Sequence, residues 1–268
     1  MSNTENTIFY KNSKYEIKEC IYSGKFSKIY KIEKNGEDFI LKESVEKEQL
    51  QNEANIYYIF KNISNISKLY NYFSFSNTYY LVLDYYEIDI KLYKNEFFNT
   101  NNYNNNIRNI ISNTLKIIKD IHNLGYIHRD LKPENICVKN NQPYLIDFGM
   151  VKKIIYNKKH IIEKKINNII GTYNFISINV TNLIEPSRRD DIESILYIFI
   201  YCLVDNDKYN IDEIRGSNEY FSKYITKNID SCFYNFFIKS YNYIKLLKFA
   251  QAPNYTHINN LLDEIDLA

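Results

Sequence analysis

The chain lacks an excess of either charge: 34 Lys and Arg stand against 32 Asp and Glu, a net charge of +2. Without a global basic field, nothing marks it as a nucleic-acid binder. Cysteine is sparse. Cys20, Cys137, Cys202 and Cys232 lie far apart and make no C-x-x-C pair. That argues against a zinc framework and a disulfide scaffold, and for a reducing compartment: the cytoplasm, with the nucleus left open. No apolar run reaches the ~18 residues of a membrane span, so no membrane partner is expected. The polar start Met1-Ser2-Asn3-Thr4-Glu5 has no signal-peptide core, and Asp266-Leu267-Ala268 has no lipidation pattern. Asn62-Ile63-Ser64 and Asn65-Ile66-Ser67 read as chance sequons in an Asn-rich chain. Glycine and proline number only 6 and 4, and there is no tryptophan.

What replaces them is Ile, Asn, Lys and Tyr, together about half of the chain. All four have AT-rich codons, so the bias points to an AT-rich genome, that of a large DNA virus or an AT-rich unicellular eukaryote. In the viral case the compartment would be the host cytoplasm. The 45% hydrophobic and 25% charged fractions are those of an ordinary globular protein. At 268 residues the chain fits one domain, or two lobes sharing a site, and should bury about three-quarters of its unfolded surface.

The expected fold class is α+β. Residues 15–43 read as three antiparallel strands, with Asn35-Gly36 as a hairpin turn. Leu50, Ala54, Tyr57, Tyr58 and Phe60 give residues 46–61 a helical pattern. Residues 68–75 and 78–85 form a second hairpin around Ser76-Asn77. After a link near Asp84–Asp89 the pattern turns helical. Asn99 to Asn106 reads as a polar loop. Ile107, Ile110, Ile111, Leu115, Ile118 and Ile121 then keep a 3.6-residue period that Gly125 ends. Ile192, Ile195, Leu196, Phe199 and Leu203 make another stripe, and helices are expected near 230–249 and 256–265. A small β lobe with one helix is thus followed by a larger helical lobe.

The strongest chemical signal is His128-Arg129-Asp130-Leu131-Lys132-Pro133-Glu134-Asn135, followed by Asp147-Phe148-Gly149. The pair resembles the catalytic loop and metal motif of protein kinases. The chemistry agrees with the resemblance. Phosphoryl transfer needs a polyanion held still and its charge neutralised. Asp130 can take the proton of a substrate hydroxyl, Lys132 can reach the transferring phosphate, and Asn135 and Asp147 offer hard oxygen ligands for magnesium. The resemblance covers residues from about Tyr15 to Leu262 and implies a bilobal protein kinase fold. It places an N-terminal extension at 1–14 and one kinase domain at 15–268. Within that domain the small lobe is about 15–84, the hinge about 85–89 and the large lobe about 90–268.

The same resemblance implies ATP with Mg2+ as cofactor and assigns the upstream parts. Lys42, ending Phe39-Ile40-Leu41-Lys42, matches the strand lysine that grips the α- and β-phosphates. Its helix partner is Glu53, with Glu48 as competitor. The glycine-rich loop is degenerate: Ile21 to Tyr30 keeps only Gly24 of three glycines, with Tyr22 and Ser27 at the outer positions. Ile21 and Ile29 would flank the nucleotide. Leu83 would guard the back pocket, and main-chain groups of Asp84 and Tyr86 would meet adenine. Asp89 would either bind ribose or cap a helix.

Gly171-Thr172-Tyr173-Asn174-Phe175-Ile176-Ser177-Ile178-Asn179 precedes Glu185-Pro186-Ser187-Arg188-Arg189-Asp190-Asp191-Ile192-Glu193-Ser194. Ser177-Ile178-Asn179 stands where most kinases have Ala-Pro-Glu. This resembles the casein kinase 1 group, with the vaccinia-related kinases as neighbouring branch, and a divergent viral member would fit. By resemblance Thr172 contacts Asp130 and Lys132, and Asp191 braces the catalytic loop. Asn174 departs from the group's arginine, and Val204-Asp205-Asn206-Asp207 from its Leu-Pro-Trp. The implied activity is serine/threonine phosphorylation of proteins by a monomer. The 150–170 segment holds Lys152, Lys153, Lys158, Lys159, Lys164 and Lys165, one acid, Glu163, and no Ser or Thr. That predicts a constitutively active enzyme favouring acidic substrates. The alternatives are an ATP-binding pseudokinase scaffold, suggested by the eroded loop, and a small-molecule phosphotransferase.

Overall fold

In a computed structural model the described residues are 3–4, 7–10, 13–205, 209–216 and 229–267. The chain divides into two compact units. One comprises residues 1–87 with 147–149, the other 88–146 with 150–268.

The first unit is built on a seven-stranded antiparallel sheet with strand order β1-β2-β3-β4-β5-β7-β6. The strands are β1 (Asn3–Thr4), β2 (Thr7–Tyr10), β3 (Ser13–Ser23), β4 (Ser27–Lys34), β5 (Glu37–Ser44), β6 (Leu69–Phe75) and β7 (Thr78–Asp84). The sheet therefore reaches further toward the N-terminus than a domain starting at residue 15. Thr7–Tyr10 pairs with β3, Ile8 is buried in the core, and Tyr10 stacks on Phe73 at 4.1 Å. The turns show how a glycine-poor chain reverses direction. Asn35 and Gly36 (φ 54° and 82°) join β4 to β5, while Ser76 and Asn77 (φ 49° and 61°) join β6 to β7 with no glycine. Asparagine tolerates the left-handed region better than other side chains, and this chain has it in abundance. Between the hairpins runs α1 (Lys47–Phe60), which buries Leu50, Glu53, Ala54, Tyr57 and Phe60, one face at helical spacing. Glu53 is the one charged side chain on that face.

The second unit is helical around α5 (Arg188–Leu203). Every residue of α5 from Asp190 to Ile200 is buried, so it is the central post of this unit. The helix α2 (Ile90–Phe97) is capped by Asp89, whose carboxylate accepts from the Leu92 amide at 2.8 Å. The helix α3 (Tyr103–Asn123) buries Ile107, Ile110, Ile111, Leu115, Ile118 and Ile121 as its periodicity requires, and Gly125 (φ 83°) follows its end. It starts four residues earlier than its apolar stripe suggests. Tyr103, within the polar stretch, is buried and donates from its hydroxyl to the Cys202 carbonyl at 2.9 Å. Two further helices cover Ser231–Lys245 and Tyr255–Asp263. Short ladders complete the unit: β8 (Tyr126–Ile127) with β11 (Lys152–Lys153), β9 (Ile136–Lys139) with β10 (Gln142–Leu145), and β12 (Ile155–Tyr156) with β13 (Lys159–His160). The α+β expectation of a sheet with one helix followed by a helical unit is met. Among the described residues, no helix is long and apolar enough to cross a membrane.

Candidate active site

In the first unit, β5 carries Lys42 and α1 carries Glu53. The Lys42 ammonium lies 2.8 and 3.0 Å from the two Glu53 oxygens and 3.1 Å from Asp147 Oδ1. Glu53 is 1% exposed, whereas the competitor Glu48 is exposed in the first helical turn. Burial works against the Lys42 charge, but the two carboxylates outweigh it and raise its pKa, so the ammonium stays protonated. Burial likewise pushes the Glu53 carboxyl up, offset in part by Lys42 and the Phe148 amide.

Asp147 adopts a left-handed backbone (φ 60°), unusual for a residue with a side chain. Its surroundings hold it there. The Tyr57 hydroxyl accepts from the Asp147 amide at 3.2 Å, and Asp147 Oδ1 accepts from the Gly149 amide at 3.3 Å. Phe148 is buried edge-on to Tyr57 and Phe60, with centroids 4.8 and 5.4 Å away.

The degenerate loop joining β3 to β4 contains one surprise. A Cβ on Gly24 would meet the Tyr22 hydroxyl at 2.5 Å, so Tyr22, at the first lost glycine, folds over the surviving one. Gly24 also donates its amide to the Ser27 carbonyl at 2.9 Å. Ile21 is exposed and Ile29 half-buried, on the two strands flanking this loop. At the other end of the sheet Leu83 is buried in β7. The Asp84 carboxylate accepts from the Lys68 amide (2.7 Å), the Tyr70 hydroxyl (2.9 Å) and the Tyr86 hydroxyl (3.3 Å). The Asp84 amide donates to the Lys68 carbonyl at 3.2 Å, so its carbonyl is the main-chain group it can offer a purine.

In the second unit the catalytic loop precedes β9. Asp130 is held at both oxygens: Oδ1 accepts from the Thr172 hydroxyl at 2.7 Å, and Oδ2 lies 3.3 Å from the Lys132 ammonium. Asn135 donates its amide N–H to the Asp130 carbonyl at 2.9 Å, which leaves its amide oxygen as the acceptor atom of that side chain. Arg129 has φ 72°, another strained position. Asp191 over-determines it, accepting from the His128 and Arg129 amides at 2.8 and 2.9 Å. Burial opposes the Asp191 charge, yet His122, 2.7 Å away, and these amides hold its pKa below the usual carboxylate range.

Several functional residues carried no sequence signal beyond membership of a motif. Asp190 accepts from Ser177 at 2.6 Å and Asn179 at 3.0 Å, and Glu193 accepts from the Ile178 amide at 2.9 Å. The start of α5 thus holds the Ser177-Ile178-Asn179 segment, where the short helix α4 (Ile178–Thr181) begins. Burial pushes the Glu193 carboxyl up to about 7. Arg215, in the short helix α6 (Ile211–Gly216), donates to the Tyr173 carbonyl at 2.8 Å and also to the Ile176 carbonyl. Asn206-Asp207, part of the second departure from the resemblance, lie outside the described residues. Gly171 is constrained twice: its φ is 98°, and a Cβ there would sit 2.5 Å from the Arg129 carbonyl. Gly171→Ala should therefore destabilise the fold by about 1–3 kcal/mol, seen as a lower denaturant midpoint, and activity should fall with it. A wild-type midpoint would show that the contact with Arg129 relaxes freely.

A lysine paired with a buried glutamate beside an aspartate, in a chain that also holds a cradled aspartate beside a lysine and an asparagine, is the residue set of the kinase class of phosphotransferases. The comparisons agree. The protein kinase domain family matches residues 15–253. A "Probable casein kinase I homolog" of Encephalitozoon cuniculi (strain GB-M1) is 30% identical over 94% of this chain and 84% of its own length. The structure of vaccinia related kinase 3 superposes with a TM-score of 0.74 at 17% identity, covering 100% of this chain and 92% of that one. The chain belongs to the protein kinase family, in its casein kinase 1 group, and is a serine/threonine protein kinase. Use of ATP and Mg2+, and protein substrates, are general to that family.

Proposed function

We propose that this chain is a constitutively active kinase that transfers the γ-phosphoryl group of ATP to serine and threonine hydroxyls in acidic proteins, acting as a monomer in the cytoplasm. The observation that carries catalytic competence is the Lys42–Glu53–Asp147 cluster, with Lys42 within 3.1 Å of all its carboxylate partners. A pseudokinase scaffold has no use for such a cluster alongside an intact Asp130 and Asn135.

In this reading Lys42 positions the nucleotide phosphates, and Glu53 fixes Lys42. Bound Mg2+ would offset phosphate charge, and the Asn135 amide oxygen and the Asp147 carboxylate are the atoms to hold it. Ile21, Gly24, Ile29, Leu83 and the main chain of Asp84 and Tyr86 would receive the nucleoside. Asp89 is already used as a helix cap, so ribose would share its carboxylate. Asp130 accepts the hydroxyl proton of the substrate and aims its oxygen. Thr172 and Lys132 keep the Asp130 carboxylate in one orientation, and Lys132 places positive charge where the phosphoryl group passes.

Two observations support constitutive activity. The Arg129 guanidinium is occupied without any phosphate, donating from Nε to the Met150 carbonyl at 2.6 Å. The lone hydroxyl between Gly149 and Gly171, that of Tyr156, belongs to an exposed hairpin. Acidic preference rests on Lys153, Lys158, Lys159, Lys164 and Lys165, all exposed. Lys152 is not part of that field, because it pairs with buried Glu185 at 2.7 Å, and the single acid Glu163 is drawn off by Arg189 at 3.3 Å.

The test is bacterially expressed, phosphatase-treated protein with labelled ATP and two serine peptides, one acidic and one neutral. The acidic peptide should be phosphorylated faster at low salt, and the advantage should shrink as the screening length falls from about 10 Å at 0.1 M to about 3 Å at 1 M. Silence after phosphatase treatment would end the constitutive claim. Equal rates on both peptides at low salt would end the acidic one.

A further inference from the structure

For phosphotransfer a substrate hydroxyl must reach Asp130, and the Thr172 hydroxyl sits on that carboxylate at 2.7 Å. The residues directly after Thr172 therefore lie beside the incoming peptide, because neighbouring Cα atoms are only about 3.8 Å apart. They form a single turn: the Phe175 and Ile176 amides both donate to the Thr172 carbonyl, at 2.8 and 3.1 Å. The stretch that follows, Ser177 to Asn179, is held by Asp190 and Glu193 of α5. The turn itself, Tyr173 to Ile176, is held by a different part of the chain, residues 209–215.

That part takes the turn at four points. Arg215 Nη2 donates to the Tyr173 carbonyl at 2.8 Å and to the Ile176 carbonyl. The Tyr209 hydroxyl donates to the Asn174 carbonyl at 2.8 Å. The Tyr173 hydroxyl donates back to Asp212 Oδ1 at 2.7 Å. Tyr209 also stacks on Phe175, with centroids 5.8 Å apart, and Tyr201 of α5 meets both rings edge-on at 5.3 and 5.7 Å. Three of the turn's four carbonyls thus have a side-chain donor from one short segment.

The Arg215 guanidinium is placed for this contact at some expense in stability. It lies 5.3 Å from the centroid of the Tyr173 ring and 5.4 Å from that of Tyr197. Its Nε and Nη1 atoms are buried with no hydrogen-bond partner among the described residues. The ring faces offset part of that desolvation, but an arginine placed for stability alone would use more of its five donors. Departures of this kind collect where a position serves function. The residue it holds is presented outward: Tyr173 is 49% exposed, although its hydroxyl and its carbonyl are both tied.

Resting on the reading of this chain as an active kinase, we propose that residues 209–215 clamp the turn on which the protein substrate is seated. Arg215 is its positioning residue, and the Tyr173 ring is the fixed surface against which the peptide lies next to its phosphoacceptor. Arg215 acts through the backbone of Tyr173 and Ile176, not on the reacting atoms. Its loss loosens the seat of the peptide and leaves the grip on ATP unchanged.

The simpler account is that these bonds only stabilise the fold. The two accounts differ in which kinetic constant moves. Loss of folded protein lowers kcat and leaves both KM values alone, whereas a loosened turn raises KM for the peptide. In the full chain, Arg215→Met removes both carbonyl bonds and the cation over Tyr173. Its KM for a serine peptide should rise about tenfold, with KM for ATP unchanged within about twofold. Tyr173→Phe removes only the bond to Asp212, at an exposed ring, so folding is not at stake. Its KM for the peptide should rise about threefold, again with KM for ATP unmoved. Lys239→Met, which breaks an exposed pair with Glu264, serves as the neutral control. An unchanged peptide KM in folded Arg215→Met would overturn the proposal, and so would a KM for ATP that rises as much as that for the peptide. Should Arg215→Met fail to fold, Tyr173→Phe decides alone, and an unchanged peptide KM there would reduce the clamp to a packing element. A wild-type chain without turnover would instead sink the kinase reading, so the two failures are distinct.

Discussion

Asp130→Asn should lower kcat by about 10²–10⁴-fold while the protein stays folded and KM for ATP changes little. The substitution keeps shape and hydrogen-bonding capacity. An amide oxygen can still accept from Thr172, which now lies 2.7 Å from Asp130 Oδ1. The amide cannot take a proton from an attacking hydroxyl, and its N–H₂ group would face the Lys132 ammonium, now 3.3 Å from Oδ2. The predicted loss corresponds to about 3–5 kcal/mol of transition-state stabilisation. Asp147→Ala should be equally damaging for a different reason: it deletes the proposed magnesium ligand and one of the Lys42 partners, 3.1 Å away. Its signature should be a loss that excess Mg2+ does not repair. The two variants together test the assigned chemistry, and near-normal turnover in either would overturn it.

How much of this was legible in the sequence depends on how local each feature is. The helix α3 was readable because Ile107 to Ile121 repeat at the helical period and are all buried. The β4–β5 hairpin was readable because Asn35-Gly36 suits two left-handed positions, and the structure shows both. The catalytic loop was readable because phosphoryl transfer constrains residue types within a few positions. The start of α3 was hidden because Asn102 lies in a run where asparagine is abundant for reasons of composition and marks nothing. The strands before Tyr15 are too short for a periodic signal.

Long-range pairings came only through the resemblance, as for Thr172 with Asp130 and Asp191 with the Arg129 amide; the others were out of reach. Lys152 and Glu185 are 33 residues apart, and nothing in either neighbourhood names the other. Taken as sequence, Lys152 counts as one more surface lysine in a basic loop. Only the structure shows that it pairs with a buried carboxylate. The same holds for Arg215, which reaches the Tyr173 carbonyl from 42 positions away. Tyr22 shows the opposite error: a lost glycine reads as erosion of the loop, whereas its ring fills the space beside Gly24.

Lys42→Met should cost at least a hundredfold in activity through lost phosphate positioning, and it should also make stability depend on pH in a specific direction. Lys42 is the cation that offsets the burial of Glu53. Without it, the factors that raise the Glu53 pKa are left less opposed, and the folded-state value moves further above the unfolded one. A carboxyl with a raised folded pKa takes up a proton on folding. Its favourable contribution is complete below the unfolded pKa, about 4.3, and is lost as pH rises through the folded value. Lys42→Met should therefore be penalised more at pH 8 than at pH 5.5, and breaking a buried pair in this way costs up to about 3–5 kcal/mol. Adding Glu53→Gln removes the titrating group, so Lys42→Met/Glu53→Gln should lose that extra pH dependence while remaining inactive. Thermal melts of the three proteins at both pH values decide it. An equal penalty at pH 5.5 and pH 8 would mean that Glu53 finds another cation in the variant. Full activity of Lys42→Met would move the phosphate-binding role to another lysine. Lys28 is the stronger candidate, because Lys31 is already committed to Asp38 at 2.8 Å and to the face of Tyr85.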